Sequence, residues 1–267
     1  MRVALLLHPG VAGATARAIT LRLGEQQIEL IGVFPAGRSY PEQVSGQNVL
    51  FQHFAIVVAD MESAYARLSA RAGWTTISID GPQLLPVSSG GVTAYKFRDP
   101  EGHPLELIAF PPDRTPEKWQ SSSATECLGI DHSAISIAAT ERSVEFYERL
   151  GLKRTSGSLN IGPEQDKLDD IAGAMVKVTA MTPPITTPHV ELLCYRGGLD
   201  HETELPATND IAATRLVMKV ESAAALEEIC AQNPGAILSN PVRFEHGGLS
   251  VMLRDLDGHL LCLETPI

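Results

Sequence analysis

The sequence predicts an α+β chain made by duplication, with four repeated units of strand, helix and further strands. Three pairs of matching segments carry the prediction. HFAIVVADMESAYARLSARAG from His53 matches HSAISIAATERSVEFYERLG from His132, and both open with H-x-A-I-x-[VI]-A. GGVTAYKFRDPEGHPLELIAF from Gly90 matches GGLSVMLRDLDGHLLCLETP from Gly247 through GG, a strand and R-D-x-[ED]-G-H. VAGATARAITL from Val11 matches IAGAMVKVTAM from Ile171.

The first unit begins at Val11 and continues into a second strand, QIELIGVF, ending at Phe34. It lacks an opening strand and helix, because only ten residues precede Val11. MRVALLLHPG can supply one short strand, with Val3, Leu5 and Leu7 on one face. Apolar Ile19, Leu21 and Leu23 are then left in need of cover, since exposed sheet surfaces of this kind are usually protected. Two covers stand open: a homodimer, or a monomer in which residues 3 to 7 cap the edge.

The second unit opens on an alternating, half-buried strand from His53. Tyr65 and Leu68 then keep helical spacing, and Gly73 stops the helix. The third unit repeats this from His132, with Val144, Tyr147 and Leu150 on the helix and Gly151 as the stop. PEQDKLDD, Pro163 to Asp170, reads as a charged loop, either solvated or a lid. The third unit's second strand is HVELLCY, ending at Tyr195. The fourth opens at Arg215 with RLVMKVESAAALEEICAQNPG, where Ser222 is a candidate N-cap. The turns D-x-[ED]-G-H close hairpins, so His103 and His259 read as structural. Polar linkers fall at Pro35 to Asn48, Pro111 to Glu126 and Arg196 to Asp210. Two blocks follow: 1–112, with a truncated module 1–40 and a full module 48–112, and 127–267, with modules 127–197 and 211–267.

Of the 267 residues, 44% are hydrophobic and 20% charged, a globular composition. Acidic residues outnumber basic ones 32 to 21, for a net charge of −11. That argues against binding nucleic acid or anionic membranes, which require a basic face. The opening apolar run is too short for a signal peptide or a membrane span. Cys127, Cys194, Cys230 and Cys262 form no C-x-x-C pair and read as reduced core thiols in a cytoplasmic setting. Nucleophile-elbow, Walker and dinucleotide glycine patterns are absent from the sequence.

The unit H-x-A-I-x-V, helix, then DPEGHPLEL resembles the βαβββ module of the vicinal oxygen chelate superfamily, which includes glyoxalase I, extradiol dioxygenases and bleomycin-resistance proteins. The resemblance covers nearly the whole chain apart from the missing start. It implies glyoxalase-like modules paired into cupped, incomplete β-barrels. Each module would give one metal ligand from its first strand and one from its last. Carried over by position, these are His53 and Glu106 from the second unit and His132 and Glu191 from the third. In the fourth, Arg215 and Cys262 stand at those places. The first keeps only Glu29, which could pair with Arg215.

Pairing of the second unit with the third would put all four ligands in one cup and leave the first and fourth units with a dead one. Two imidazoles and two carboxylates suit one divalent ion: Zn, Ni, Mn, Co or Fe(II). The resemblance implies a lyase or isomerase acting on a small oxygenated substrate through metal-stabilised enediolate chemistry, with Glu106 or Glu191 as the base. The alternatives are an Fe(II) ring-cleaving dioxygenase and a binding or resistance protein without chemistry. His189, two residues before Glu191, reads as a support for that glutamate or a substrate contact.

Overall fold

The structure, a computed structural model, describes residues 2–4, 13–42, 44–120, 126–184, 188–200, 204–243 and 247–266. The first unit contains β1 (Arg2–Ala4), β2 (Thr15–Leu23) and β3 (Gln26–Phe34). The second runs β4 (Phe51–Val58), α1 (Met61–Ser69), β5 (Thr75–Thr76), β6 (Gln83–Leu84), β7 (Thr93–Arg98) and β8 (Pro104–Ala109). The third runs β9 (Cys127–Ser136), α2 (Thr140–Arg149), β10 (Lys153–Ile161), α3 (Pro163–Asp169), β11 (Met175–Thr182) and β12 (His189–Tyr195). The fourth runs β13 (Arg215–Lys219), α4 (Ala223–Gln232), β14 (Val242–Arg243), β15 (Leu249–Arg254) and β16 (Leu260–Glu264).

In each complete unit the first strand pairs parallel with the last: β4 with β8, β9 with β12 and β13 with β16. The helix between makes that crossover possible. Asp60 caps α1 by accepting from the Ser63 N–H at 2.8 Å, and Ser222 caps α4 by accepting from Ala225 at 3.2 Å. The α2 residues Val144, Phe146 and Tyr147 bury against Met181, Val190 and Leu192, and the same core takes Val251, Leu253, Leu261 and Leu263 of the fourth unit.

The second and third units merge. β4 and β9 pair antiparallel, giving one nine-stranded sheet with the order β10-β11-β12-β9-β4-β8-β7-β5 and β6 beside β7. The first and fourth units form separate sheets, β1-β2-β3 and β13-β16-β15-β14. β4 and β9 are the opening strands of their units, and among the described residues no strand of the first unit pairs with β13. β1 pairs antiparallel with β2 through Val3↔Arg17, so it takes the outer place that β10 holds beside β11. Leu5 and Leu7 lie outside the described residues.

The face of β2 and β3 that carries Ile19, Leu21, Ile28 and Leu30 corresponds to the face of the third unit that α2 covers. Ile19 is 59% exposed, Leu21 46% and Leu30 53%, and among the described residues no helix covers them.

The repeated hairpin turns are built alike. Arg98 donates to the Gly102 and Val44 carbonyls, and Arg254 donates to those of Gly258 and Pro206. Asp99 accepts from the N–H groups of Glu101 and His103. Asp255 accepts from Asp257, Gly258 and His259. The ring of His103 bonds the Ile211 carbonyl at 2.9 Å and that of His259 the Ser136 carbonyl at 2.7 Å. Both histidines are tied to main chain far along the sequence, which is a structural role.

The expected loop at Pro163–Asp170 is instead the helix α3. Pro163 sits in its first turn, where a missing N–H costs nothing, and its inner face buries Gln165, Leu168 and Asp169. Burial of that face stabilises a helix that its short length alone would not support. The four cysteines are free thiols, with Cys262 buried. Among the described residues no helix is long and apolar enough to cross a membrane.

Candidate metal centre

The antiparallel pairing of β4 and β9 places His53 opposite Ala134 and His132 opposite Ala55. Each histidine thus faces the alanine two residues beyond the other, and the rings meet across the seam. The parallel pairings then bring in the carboxylates, because Ala55 lies beside Glu106 and Ala134 beside Glu191. Small alanines at these points leave room for the four longer side chains to converge.

The two Nε2 atoms lie 3.4 Å apart. Glu106 Oε2 is 2.9 Å from His53 Nε2 and 3.4 Å from His132 Nε2. Glu191 Oε2 is 3.6 Å from His132 Nε2. His53, Glu106 and His132 are buried, and Glu191 is half-buried. Burial pulls the His53 ring below its ordinary pKa, reinforced by Lys96. Burial opposes ionisation of Glu106, yet His53, His132 and Lys96 hold its carboxyl well below the usual range. Burial likewise opposes charge on His132, but Glu191, Asp131 and Glu106 raise it well above an ordinary histidine.

The donor set fits a divalent ion. Atoms about 2.0–2.2 Å from one ion and about 90–110° apart lie roughly 2.8–3.6 Å from one another, and the separations within His53, Glu106 and His132 span 2.9 to 3.4 Å, with Glu191 outside that group and 3.6 Å from His132. Charge agrees. The carboxylates of Glu106, Asp131, Asp169 and Glu191 outnumber the ammonium groups of Lys96 and Lys118 that face them, leaving a net negative charge that a cation can balance. Uncompensated buried charge is costly.

No protein-family model matches the sequence, and no curated protein matches it. Solved structures do match. Glyoxalase I from Zea mays superposes with a TM-score of 0.61 at 18% identity, covering 94% of this chain and 79% of that one. A single-residue variant of the maize protein gives 0.58 over 90% of this chain and 74% of that one, also at 18% identity. The chain has the vicinal oxygen chelate fold.

Within that fold three of the four residues carried over from the sequence, His53, Glu106 and His132, form one tight cluster, and Glu191 lies at its edge beside His132. His189 lies beside them, with Nε2 3.6 Å from Glu191 Oε1. In the other cup, Arg215 stands two residues before Val217, which pairs with Cys262. This register matches the one that brings His53 near Glu106, so the fourth unit holds the same places with different chemistry. The ion pair expected between Arg215 and Glu29 is not formed among the described residues. Burial pulls the Arg215 guanidinium down, and Cys262 and Glu29 act on it only through space.

Sequence reasoning passed over two further groups. Lys96 pairs with Glu106 across β7 and β8 and shares its face. Its Nζ lies 2.7 Å from Asp169 Oδ1 on α3, with both side chains buried. Asp169 Oδ2 also accepts from Gln165 at 2.7 Å and from the Tyr195 hydroxyl at 2.9 Å. Leu168 packs against Ala55, Val57, Ala94 and Ile108 inside the cup. The signal for Lys96 was present: a lysine in the apolar strand TAYKFR, ten residues before the glutamate. The second group is Asp131, beside His132, which regular strand alternation would turn to the other face.

Proposed function

We propose that this chain is a metal-dependent lyase or isomerase of glyoxalase-like chemistry acting on a small oxygenated substrate. The observation that carries the reading is the cluster of His53, Glu106 and His132, with Glu191 beside His132. When bound, a divalent ion supplies Lewis-acid polarisation of a substrate oxygen. His53, His132 and Glu106 hold it, since all three are buried and mutually fixed. Glu191 has a different part. Its side chain is 23% exposed and no hydrogen bond as short as that of Glu106 restrains it. Glu191 Oε2 therefore takes the proton from the carbon next to the polarised oxygen. His189 steadies Oε1 of the same carboxylate. α3 closes the cup and excludes water, which strengthens every charge interaction inside.

Elemental analysis should find a redox-inert divalent ion. Proton–deuteron exchange at carbon, followed by NMR in D2O over a panel of 2-oxoaldehyde–thiol adducts and 2-hydroxycarbonyl compounds, then tests the base. Glu191→Gln should slow exchange by about 10²–10⁴-fold and retain the ion. Wild-type protein that retains no divalent ion after incubation with excess metal would refute the reading.

One observation favours a second reading. The tightest cluster is two histidines and one carboxylate, His53, His132 and Glu106, a set that suits Fe(II) with open positions for oxygen. Bound Fe(II) with oxygen uptake on catechols would point to a ring-cleaving dioxygenase.

A further inference from the structure

We infer that Asp131 is a positioning residue that fixes the orientation and tautomer of His132 for the metal, and that the segment between the two blocks acts on the site through it. The inference rests on the metal-site reading above.

The starting point is a fault in the strand. Ala55 opposes His132 and the next residue, Ile56, opposes Ile130. Asp131 is skipped, so β9 carries an extra residue at the site. A regular strand would turn residues 131 and 132 to opposite faces. A bulge re-aims one of them. Here the Asp131 carboxylate reaches its own neighbour, with Oδ2 3.2 Å from His132 Nδ1.

The other ring nitrogen settles what that contact does. His132 Nε2 faces Glu106, Glu191 and His53 Nε2. An imidazole that donates Nδ1–H to a carboxylate keeps its Nε2 lone pair for an ion, and the carboxylate raises its basicity as a ligand. The opposite tautomer would point a hydrogen at the metal.

Asp131 is itself held. It is 7% exposed, and its Oδ1 accepts from Lys118 Nζ at 2.9 Å and from Trp119 Nε1 at 3.2 Å. Lys118 and Trp119 belong to a single 3-10 turn, Glu117–Trp119, in the chain that joins the blocks. Trp119 packs in the cup's core beside Ala55 and Val57. A segment that reads as a linker thus buttresses a ligand on the strand that follows it.

Three readouts test this: the affinity of the purified full chain for Zn(II) by competition with a chromophoric chelator, the melting temperature of the metal-free protein, and the imidazole nitrogen NMR shifts of His132. Asp131→Ala should weaken Zn(II) binding by about 10–100-fold and scramble the His132 tautomer. Asp131→Glu should recover part of the affinity. Trp119→Phe, which removes one donor to Asp131, should weaken binding less than Asp131→Ala. If Asp131→Ala does not fold, Asp131→Asn carries the same comparison, with weakened Zn(II) binding expected. Variants that lower the melting temperature but bind Zn(II) as tightly as wild type would overturn the inference and leave Asp131 a merely structural residue. Failure of the wild type to bind Zn(II), Ni(II), Mn(II), Co(II) or Fe(II) would instead remove the metal reading beneath it.

Discussion

Replacing Lys96 by Met should destabilise the protein markedly and release α3. The pair Lys96–Asp169 is 2.7 Å long, with side chains 5% and 1% exposed. Removing one partner of such a pair strands a buried charge, which costs about 3–5 kcal/mol. Asp169 keeps two donors, Gln165 and Tyr195, so the low end of that range applies. It also stays close to the other carboxylates of the cup, since both Glu106 and Glu191 act on Lys96. At about 2–4 °C per kcal/mol for domains of this size, the melting temperature should fall by about 6–12 °C. The double variant Lys96→Met with Asp169→Asn should recover part of the loss, with a coupling of about 0.5–3 kcal/mol. Thermal melting followed by circular dichroism measures both, and hydrogen exchange over residues 163–170 reports the release of α3. A Lys96→Met protein that melts within about 2 °C of wild type, or a double variant whose cost is the sum of the singles, would show that the pair is not what anchors the helix.

Two further outcomes follow from the same geometry. Elemental analysis should give at most about one ion per chain, because Arg215 and Cys262 hold the places of a histidine and a glutamate in the other cup; two ions per chain would contradict this. The His103–Asp99 contact, 3.1 Å, should make stability depend on pH. Burial opposes the charge on His103, but Asp99 raises its pKa above the ordinary value, and burial opposes that of Asp99, which His103 lowers. The histidine's contribution is therefore complete below about pH 6.5 and is lost as pH rises through the raised folded value. The carboxylate's is complete above about pH 3.9 and lost as pH falls through its lowered one. Denaturant titrations of wild type and His103→Gln across pH 3–9 should differ most between those limits, and parallel curves would show that the contact carries no linkage.

Much of the architecture was legible because the chain repeats itself. A residue's role could be read twice: His53 against His132, Asp99 against Asp255, Ala18 against Val178. Repetition also made the departures visible, so that Arg215 and Cys262 stood out as replacements before any geometry was known. What resisted reading lies where the units stop being copies. Lys96 is matched by Met252 in the fourth unit, since each pairs with the residue at the glutamate position. In the second unit only the short turn Val87–Ser89 stands at the place of α3, and the charged sequence of α3 conceals a buried face because Asp169 is satisfied by Lys96 and Tyr195, both far along the chain.

The bulge at Asp131 is the harder case, and it bears on how the site came to be asymmetric. Both opening strands carry a skipped residue near their histidine, at Gln52 before His53 and at Asp131 before His132. Alternation is a property of one strand, whereas a bulge is a property of two strands in register, and nothing in a single strand's pattern states its partner's register. The seam that aligns the two histidines joins β4 to β9, whereas β13 pairs with β16 alone among the described strands. At the matching places of the fourth unit stand Arg215 and Cys262, and a cysteine hydrogen-bonded to Ser250 at 3.3 Å costs less to bury than an unpaired carboxylate.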